Sequence, residues 1–331
     1  MNLDIIDVRK YNTDQAGAVR DFLQASNNGT LFHELDFLAY HSPERFNAHH
    51  LVFSKEGKMI SFLPAAIVKG SDGRDFLRSP YGASVGGPVL PCRIKTAAVI
   101  NMLTRLQEYV SSQGLAGIDM RLGPSVYMRE PDDVLDFSLF ATGFRLSKTW
   151  LLHIIPLESS GDELFVTLFS KTKRNIVRSG LKKGLQPREA GVEGLDVFYD
   201  MLSETQARHN ASVTHTRQEL KDLFERVPGR LRLFLCSHEG IEIAGILVLM
   251  LNGSVAYTFY ICGSYEHKKL DGPAILIAHI IECMAREGVR YLDLGPSSFD
   301  DLSLNHGVAF FKEEIGGRGF CRNAWQWACS G

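Results

Sequence analysis

Three short stretches of this chain combine residue types that handle anions or acyl groups. The first, SKTKRNIVRSGLKKG (residues 170–184), carries Lys171, Lys173, Arg174, Arg178, Lys182 and Lys183 and no acidic residue. Arginine supplies a planar fork of donors and lysine a point charge, which suits the phosphates of a nucleotide, a coenzyme or an RNA end. The second, HKKLDGPAIL from His267, sets Lys269, Gly272 and Ala274 at the opening of a helix with proline in its first turn. Uncapped N–H groups and the positive helix end favour an anion there, and glycine lets the backbone approach it closely. The third, GVAFFKEEIGG (residues 307–317), places Phe310 and Phe311 beside Lys312. That is a stacking surface next to a cation able to hold phosphate or stabilise an oxyanion.

Each stretch also has a plain structural reading: a solvated basic helix face, a helix start, and core phenylalanines. Candidates for moving a proton are Asp293, at a strand end before the turn GPSS, and Tyr257 or Tyr260 on the preceding strand. Strict alternation puts the two tyrosines on opposite sheet faces, so at most one faces a site. Asp293 could equally orient the turn that follows it. No metal site is expected, because His279 and Cys283, four apart on a helix, lack a third ligand at suitable spacing. The serine-hydrolase pattern GxSxG and the zinc pattern HExxH are absent. His49-His50 leads into a strand and reads as surface, while the Gly86-Gly87-Pro88 loop either shapes an acceptor pocket or is a simple turn.

The elements that hold these residues occur in duplicate. HHLVFSKEGKMISFLPAAIV (residues 49–68) and LRLFLCSHEGIEIAGILVLML (residues 231–251) both read as hairpins around a Glu-Gly turn, at Glu56-Gly57 and Glu239-Gly240. Further on, QGLAGIDMRLGPS and EGVRYLDLGPSS both set a helix-ending glycine five residues before an aspartate, Gly114 to Asp119 and Gly288 to Asp293, followed by Gly-Pro-Ser. Helical spacing is clear at Val99, Leu103, Leu106 and Val110, and at Ile277, Ile280, Ile281 and Met284. A helix over the basic run would put Lys171, Arg174 and Arg178 on one face. The pattern predicts two α+β domains of related fold, divided near Trp150 into residues 1–150 and 151–331.

The length, 331 residues, is a prior for two domains at roughly 150 residues each. Net charge is −2, so bulk attraction to DNA or anionic lipid is not expected and any polyanion site must be local. The longest strongly apolar stretch, residues 244–251, is far short of the ~20 residues of a membrane-spanning helix. The start MNLDIIDVRK lacks a secretory pattern, and the six cysteines include no CxxC pair. These features predict a cytoplasmic protein without integral membrane association.

With those residues assembled, a resemblance emerges. Lys269-x-x-Gly272-x-Ala274 resembles the pyrophosphate loop of GNAT acyltransferases, with lysine in its first position. The basic run from Lys171, the turn YLDLGPSS, the ending FFKEEIGG and the opening LFHELDFLAYHSPERF together resemble the Fem family of peptidyltransferases in the GNAT superfamily. The chain is similar to the short type that lacks a coiled-coil arm.

The resemblance implies two tandem GNAT-like domains, each a mixed, mainly antiparallel sheet flanked by helices. The first would face the acceptor; the second would bind the donor and catalyse. It further implies amide-bond formation, moving an aminoacyl group from aminoacyl-tRNA to the amine of a peptidoglycan precursor or another small acceptor. Phe311 and Lys312 would meet the tRNA end and the reaction centre, with Asp293 or Tyr260 moving the proton. Phosphates would fall to Lys171, Lys173, Arg174 and Arg178, and donor contacts to Lys269, Gly272 and Ala274. No tightly bound cofactor is implied. Two alternatives stay open: an acyl-CoA-dependent N-acyltransferase acting on an amino sugar or small amine, and a noncatalytic anion-binding GNAT-like protein.

Overall fold

The computed structural model describes residues 6–41, 44–157, 164–208 and 210–329. Residues 1–5 of the opening stretch, and Ser42-Pro43 within the stretch likened to the Fem opening, lie outside the described residues. The chain forms two compact units, Met1–Thr149 with Cys321–Gly331, and Trp150–Phe320.

The first unit contains β1 (Ile6–Lys10), α1 (Ala16–Ala25), α2 (Leu35–Leu38), β2 (Asn47–Ala48), β3 (Leu51–Lys55), β4 (Lys58–Leu63), β5 (Ala66–Lys69) and β6 (Asp75–Ser79). It continues through α3 (Thr96–Ser112), β7 (Gly117–Arg121), α4 (Val134–Ala141) and the start of β8 (Arg145–Pro156). β1, β3 and β4 make one antiparallel sheet; β2, β5, β6 and β7 make another, parallel only between β6 and β7. Val99, Met102, Leu103, Leu106 and Val110 of α3 are buried in the core of this unit.

The second unit begins with residues 150–156 of β8 and runs through α5 (Phe165–Leu168), α6 (Lys171–Lys182), β9 (Gln186–Ala190), α7 (Leu195–Arg208), α8 (Arg217–Arg226) and β10 (Leu231–His238). β11 (Ile241–Met250), β12 (Val255–Gly263), α9 (Gly272–Arg286), β13 (Tyr291–Pro296), α10 (His306–Glu314) and the start of β14 (Arg318–Ala328) follow. Its sheet is ordered β8, β13, β12, β11, β10, β9, and only the β12 to β13 pairing is parallel. α9 buries Ile275, Ile277, Ile280, Ile281 and Met284 in this unit's core. Each fully buried side chain of that size contributes about 1.5–3 kcal/mol. Arg232 on β10 fastens the far end of α9, forking to Glu189 on β9 and Glu287 just past the helix, each at 2.6 Å.

The duplication is plain in the backbone. Both Glu-Gly turns have positive φ at their two central residues, 51° and 75° at Glu56-Gly57 and 52° and 81° at Glu239-Gly240. That is the geometry whose twist matches a two-residue hairpin, and glycine adopts it without steric cost. Gly114 and Gly288 close α3 and α9 at φ 69° and 80°. Each unit thus contains the order strand, two helices, hairpin, strand, helix, strand and helix, with β2 and a second strand after the hairpin added in the first unit and β8, α5 and α6 preceding it in the second, which is the α+β tandem architecture expected.

The compact units differ from the 1–150 and 151–331 division at the C-terminal strand. Residues 324–328 of β14 pair antiparallel with 121–117 of β7, so 321–331 group with the first unit. In the same way residues 152–156 of β8, which follow the first unit's α4, pair with β13 of the second.

His49 and His50 correct another expectation. His49 is 6% exposed, with Nε2 at 2.8 Å from the Tyr109 hydroxyl, and His50 Nε2 lies 3.2 Å from the Tyr81 hydroxyl. Burial pushes the His50 imidazole down to about 4, so it stays neutral in the fold.

Candidate functional site

β12 and β13 are paired only at Val255–Tyr257 and Tyr291–Asp293, although β12 runs on to Gly263 and β13 to Pro296. Past Tyr257 the parallel ladder ends, and the strands are joined there by a side chain, the Thr258 hydroxyl donating to the Asp293 carbonyl at 3.2 Å. On its other edge β12 carries a bulge. Leu247 faces Tyr260 and Val248 faces Thr258, which takes Phe259 out of the ladder with β11. The extra residue also changes the alternation. Tyr257 faces Leu249 and Tyr260 faces Leu247, and Leu247 and Leu249 share a face. Tyr257 and Tyr260 therefore lie on the same side of the sheet, contrary to the strict alternation expected. β12 is a nearly continuous apolar run, VAYTFYICG, so a shift in its alternation leaves no mark in the sequence.

The two tyrosines have different surroundings. The Tyr260 hydroxyl lies 2.6 Å from His215 Nδ1, and burial raises its pKa. The Tyr257 hydroxyl lies 3.6 Å from the point where Gly295 would carry a Cβ, at the end of β13. Gly295 has φ 79°, so a side chain there would strain the backbone.

Asp293 and Lys312 hold this strand end. Asp293 is fully buried and its Oδ1 accepts the Gly295 N–H at 2.6 Å. Lys312, on α10 and 6% exposed, donates from Nζ to the Gly295 and Pro296 carbonyls, each at 2.8 Å. Those two bonds engage two of the three ammonium protons. Burial pushes the Lys312 ammonium down to about 8, and Asp293 opposes that shift by favouring the charge. The matching aspartate of the first unit has a different environment. Asp119 on β7 is half-buried and pairs with Arg78 at 3.0 Å.

Sequence reasoning missed His153 and Ser297. His153 Nδ1 lies 2.7 Å from Ser297 Oγ, and its Nε2 lies 3.4 Å from Glu313, the residue after Lys312. Burial lowers the His153 pKa against the opposing pull of Glu313. His153 sits in an apolar strand pattern, 144 residues from its partner. Only the Gly-Pro-Ser repeat pointed to Ser297, and its counterpart Ser125 is exposed.

The three motifs singled out in the sequence meet at Lys173. Its Nζ lies 2.5 Å from Asp271 Oδ2, in the turn that opens α9, and 4.8 Å from the centre of the Phe311 ring on α10. Ser170, which caps α6, also donates to Glu314 of α10 at 2.6 Å. Within the basic run, Lys171 and Arg178 are exposed, whereas Arg174 is half-buried and donates to the Val166 carbonyl at 2.8 Å. α6 forms as expected, but its three-residue basic face reduces to Lys171 and Arg178 in solvent.

The turn before α9 places Lys269 in solvent and buries Gly272 and Ala274. A Cβ on Gly272 would lie 2.7 Å from that of Ala244 on β11, so packing already requires glycine there. Phe311 is partly buried against the core, with Lys173 over its ring, whereas Phe310 is 64% exposed. The aromatic surface open to a ligand in this pair is Phe310. His279 Nε2 and Cys283 Sγ lie 3.6 Å apart, and no group of three or more potential metal ligands occurs among the described residues.

Residues 171–308 match the acetyltransferase (GNAT) domain family. The second unit has the GNAT fold. Solved structures similar over nearly the whole chain extend the likeness to both units. FemX superposes with a TM-score of 0.74 at 15% identity, covering 98% of this chain and 97% of that one. The C-terminal domain of a putative lysylphosphatidylglycerol synthetase from Agrobacterium fabrum gives 0.59 at 14% identity, with 96% and 92% covered. A tandem GNAT protein of the clavulanic acid biosynthesis pathway gives 0.56 at 12% identity, with 99% of both chains covered. No curated protein matches this sequence. The resemblance to Fem and other GNAT-superfamily proteins thus holds at the level of fold. In the GNAT unit, the parting of β12 and β13 lies beside the buried Asp293, Lys312 and His153. No helix among the described residues is long and apolar enough to cross a membrane.

Proposed function

We propose that this protein is an acyl-transferring enzyme that forms an amide bond, taking an aminoacyl group from aminoacyl-tRNA to a small amine or an amine on a peptidoglycan precursor. The convergence at Lys173 carries this reading: the basic helix, the α9 turn and the Phe-Lys helix, far apart in sequence, pack together beside the strand parting. A noncatalytic anion-binding protein would need the basic surface alone, and Lys312 buried at the strand end would have no purpose beyond holding it.

The chemistry is aminolysis of an ester. A neutral amine attacks the acyl carbonyl, the tetrahedral oxyanion takes hydrogen bonds, and the terminal ribose hydroxyl of the tRNA leaves with a proton. The bulge at Phe259 frees backbone groups from the β11 ladder next to the parting, which offers donors for the oxyanion. Lys312 supplies the charge there. With its ammonium pushed down to about 8, it can give its proton to the leaving ribose oxygen as the ester bond breaks and, as the neutral amine, take back the one that the attacking nitrogen releases on forming the amide. Asp293 is a positioning residue that fixes the Gly295 turn and supports the Lys312 charge. Tyr257 stands nearer the Gly295 turn than Tyr260, which is engaged by His215. Lys171, Arg178 and Phe310 form the exposed surface for the donor's phosphates and end base. The cytoplasm, where charged tRNA is made, is the compartment this reaction requires.

A second reading, transfer from acyl-CoA, is favoured by one observation. α9 opens with Gly272 and Pro273 beside the exposed Lys269, a helix start suited to a pyrophosphate. Asp271 weighs against it, since its carboxylate already sits at that helix start, paired with Lys173. Thermal shifts with acetyl-CoA, read beside filter retention of bulk charged tRNA, separate the two donors.

A further inference from the structure

His153, Ser297 and Glu313 form a chain of contacts in the second unit that the transfer chemistry leaves unused. His153, on β8, is 2% exposed and Ser297, just past β13, is 1% exposed, whereas the Glu313 side chain on α10 is 59% exposed. Ser297 Oγ lies 2.7 Å from His153 Nδ1, and His153 Nε2 lies 3.4 Å from Glu313 Oε1. The second contact is long for a hydrogen bond, and a small rotation of the exposed carboxylate closes it.

The partners fix where the protons sit. A carboxylate can only accept, so Nε2 carries the ring proton and Nδ1 accepts from the Ser297 hydroxyl. Burial lowers the His153 pKa, the Glu313 contact opposes that, and the Lys312 charge on α10 adds to it. The ring is thereby kept neutral and able to take a proton.

Both ends of the chain of contacts adjoin Lys312. Ser297 follows Pro296, whose carbonyl accepts from Lys312 Nζ, and Glu313 follows Lys312 itself. The Ser297 backbone is held on two sides, its N–H donating to the Leu151 carbonyl at 2.7 Å and its carbonyl accepting the Asn305 N–H at 2.8 Å.

An aliphatic amine is an ammonium ion at neutral pH and must become neutral before it attacks. An ammonium acceptor and an ester give an amide, an alcohol and one free proton. The nitrogen thus gives up two protons. Lys312 accounts for one by serving the leaving oxygen, and the other needs a separate base.

We propose that Ser297 and His153 take the proton whose loss makes the acceptor amine a nucleophile, with Glu313 holding the imidazolium that results. The ammonium N–H bond breaks toward Ser297 Oγ as the serine proton passes to His153 Nδ1. That leaves a neutral amine, an intact hydroxyl and an imidazolium whose Nε2–H faces Glu313. Once the amide product leaves, Nδ1 returns the proton through Ser297 to entering water. The inference rests on the transferase reading and adds to it a base distinct from Lys312.

The test measures transfer from bulk aminoacyl-tRNA by the full-length protein at pH 7 with two kinds of acceptor. Ethanolamine, cadaverine and Nα-acetyl-lysine arrive as ammonium ions; hydroxylamine arrives neutral and needs no base. Ser297→Ala and His153→Asn are expected to slow transfer to the ammonium acceptors by about tenfold or more and to leave hydroxylamine within about twofold of the wild type. Both positions are buried, so Glu313→Gln, at an exposed position, carries the decision if those variants misfold, and it should show the same split. Lys312→Met should slow both kinds of acceptor. Equal slowing of the two kinds in the Ser297, His153 and Glu313 variants, which marks a structural role alone, or no slowing of either, would overturn the inference and leave the transferase reading standing. Wild-type transfer to hydroxylamine alone would do the same. No transfer to any acceptor by the wild type would overturn both.

Discussion

The Nζ of Lys312 lies 2.8 Å from the carbonyl oxygen of Gly295. The bond ties the last turn of α10 to the end of β13, where β13 has left its parallel partner. A second bond, to the Pro296 carbonyl, makes this lysine both the holder of the strand end and the charge nearest the parting. Replacing Lys312 therefore has two separable consequences. Lys312→Met is expected to lower turnover by about 100-fold, the usual scale for a lost proton donor. Stability should drop by about 2 kcal/mol as two carbonyls lose a charged donor. Single-turnover kinetics beside thermal unfolding distinguish the effects, and Lys312→Arg should restore stability better than rate.

The same lysine sets a pH dependence. Its folded pKa, about 8, is below the 10.5 of an unperturbed lysine, so the unfolded chain binds its proton more tightly. Protonation of Lys312 therefore works against folding fully below pH 8, and this cost of the charged form is relieved as pH rises from about 8 to about 10.5. The rate should do the opposite and fall above about pH 8 as the donor proton is lost. Asp293→Asn removes the carboxylate that favours the charged lysine, so the alkaline limb of the rate profile should move to lower pH. An unmoved limb would separate Asp293 from the Lys312 titration.

On α6, Lys171 and Arg178 are exposed, so reversing both to Glu should leave the unfolding temperature nearly unchanged. Donor affinity should weaken by about 1 kcal/mol or more for each phosphate that the pair no longer holds, more steeply at low salt. Arg174→Glu should behave differently, destabilising the protein by breaking its bond to the Val166 carbonyl. Filter binding across a salt series, with melting curves for each variant, checks both statements.

Tyr257→Phe and Tyr260→Phe should also diverge. The first removes a hydroxyl beside Gly295 and is expected to reduce turnover several-fold. The second breaks the bond to His215 and is expected to cost about 1 kcal/mol of stability. Equal effects on rate would remove the distinction drawn between them.

Acidification should weaken the first unit. His33 and His50 are both held down to about 4 by burial, so each binds a proton more readily in the unfolded chain than in the fold. Their contribution is present above the ordinary histidine value of 6.5 and is lost as pH falls from there through 4. Melting curves between pH 7 and pH 4 should show that loss, and His50→Gln should flatten part of it.

The features legible in the sequence are those written in local order. The Glu-Gly hairpins, the glycines ending α3 and α9, and the helices over residues 96–112 and 171–182 each depend on residues within a few positions of one another. The pairing of β14 with β7 was not legible, because it joins residues about 200 positions apart and either sheet could have accepted an apolar strand. Nor was the bulge at Phe259, which shifts two tyrosines onto one face without disturbing composition. His153 read as one polar residue in an apolar strand. The motifs themselves were visible, but their meeting at Lys173 required the fold.

The most direct test of the transferase reading is filter retention of bulk aminoacyl-tRNA by the purified full-length protein, with excess acetyl-CoA as competitor. The account predicts salt-dependent retention that survives the competitor and is lost when Lys171 and Arg178 are both changed to Glu. Absence of retention, together with saturable stabilisation by acetyl-CoA, would contradict it and assign the protein to coenzyme-dependent acyl transfer.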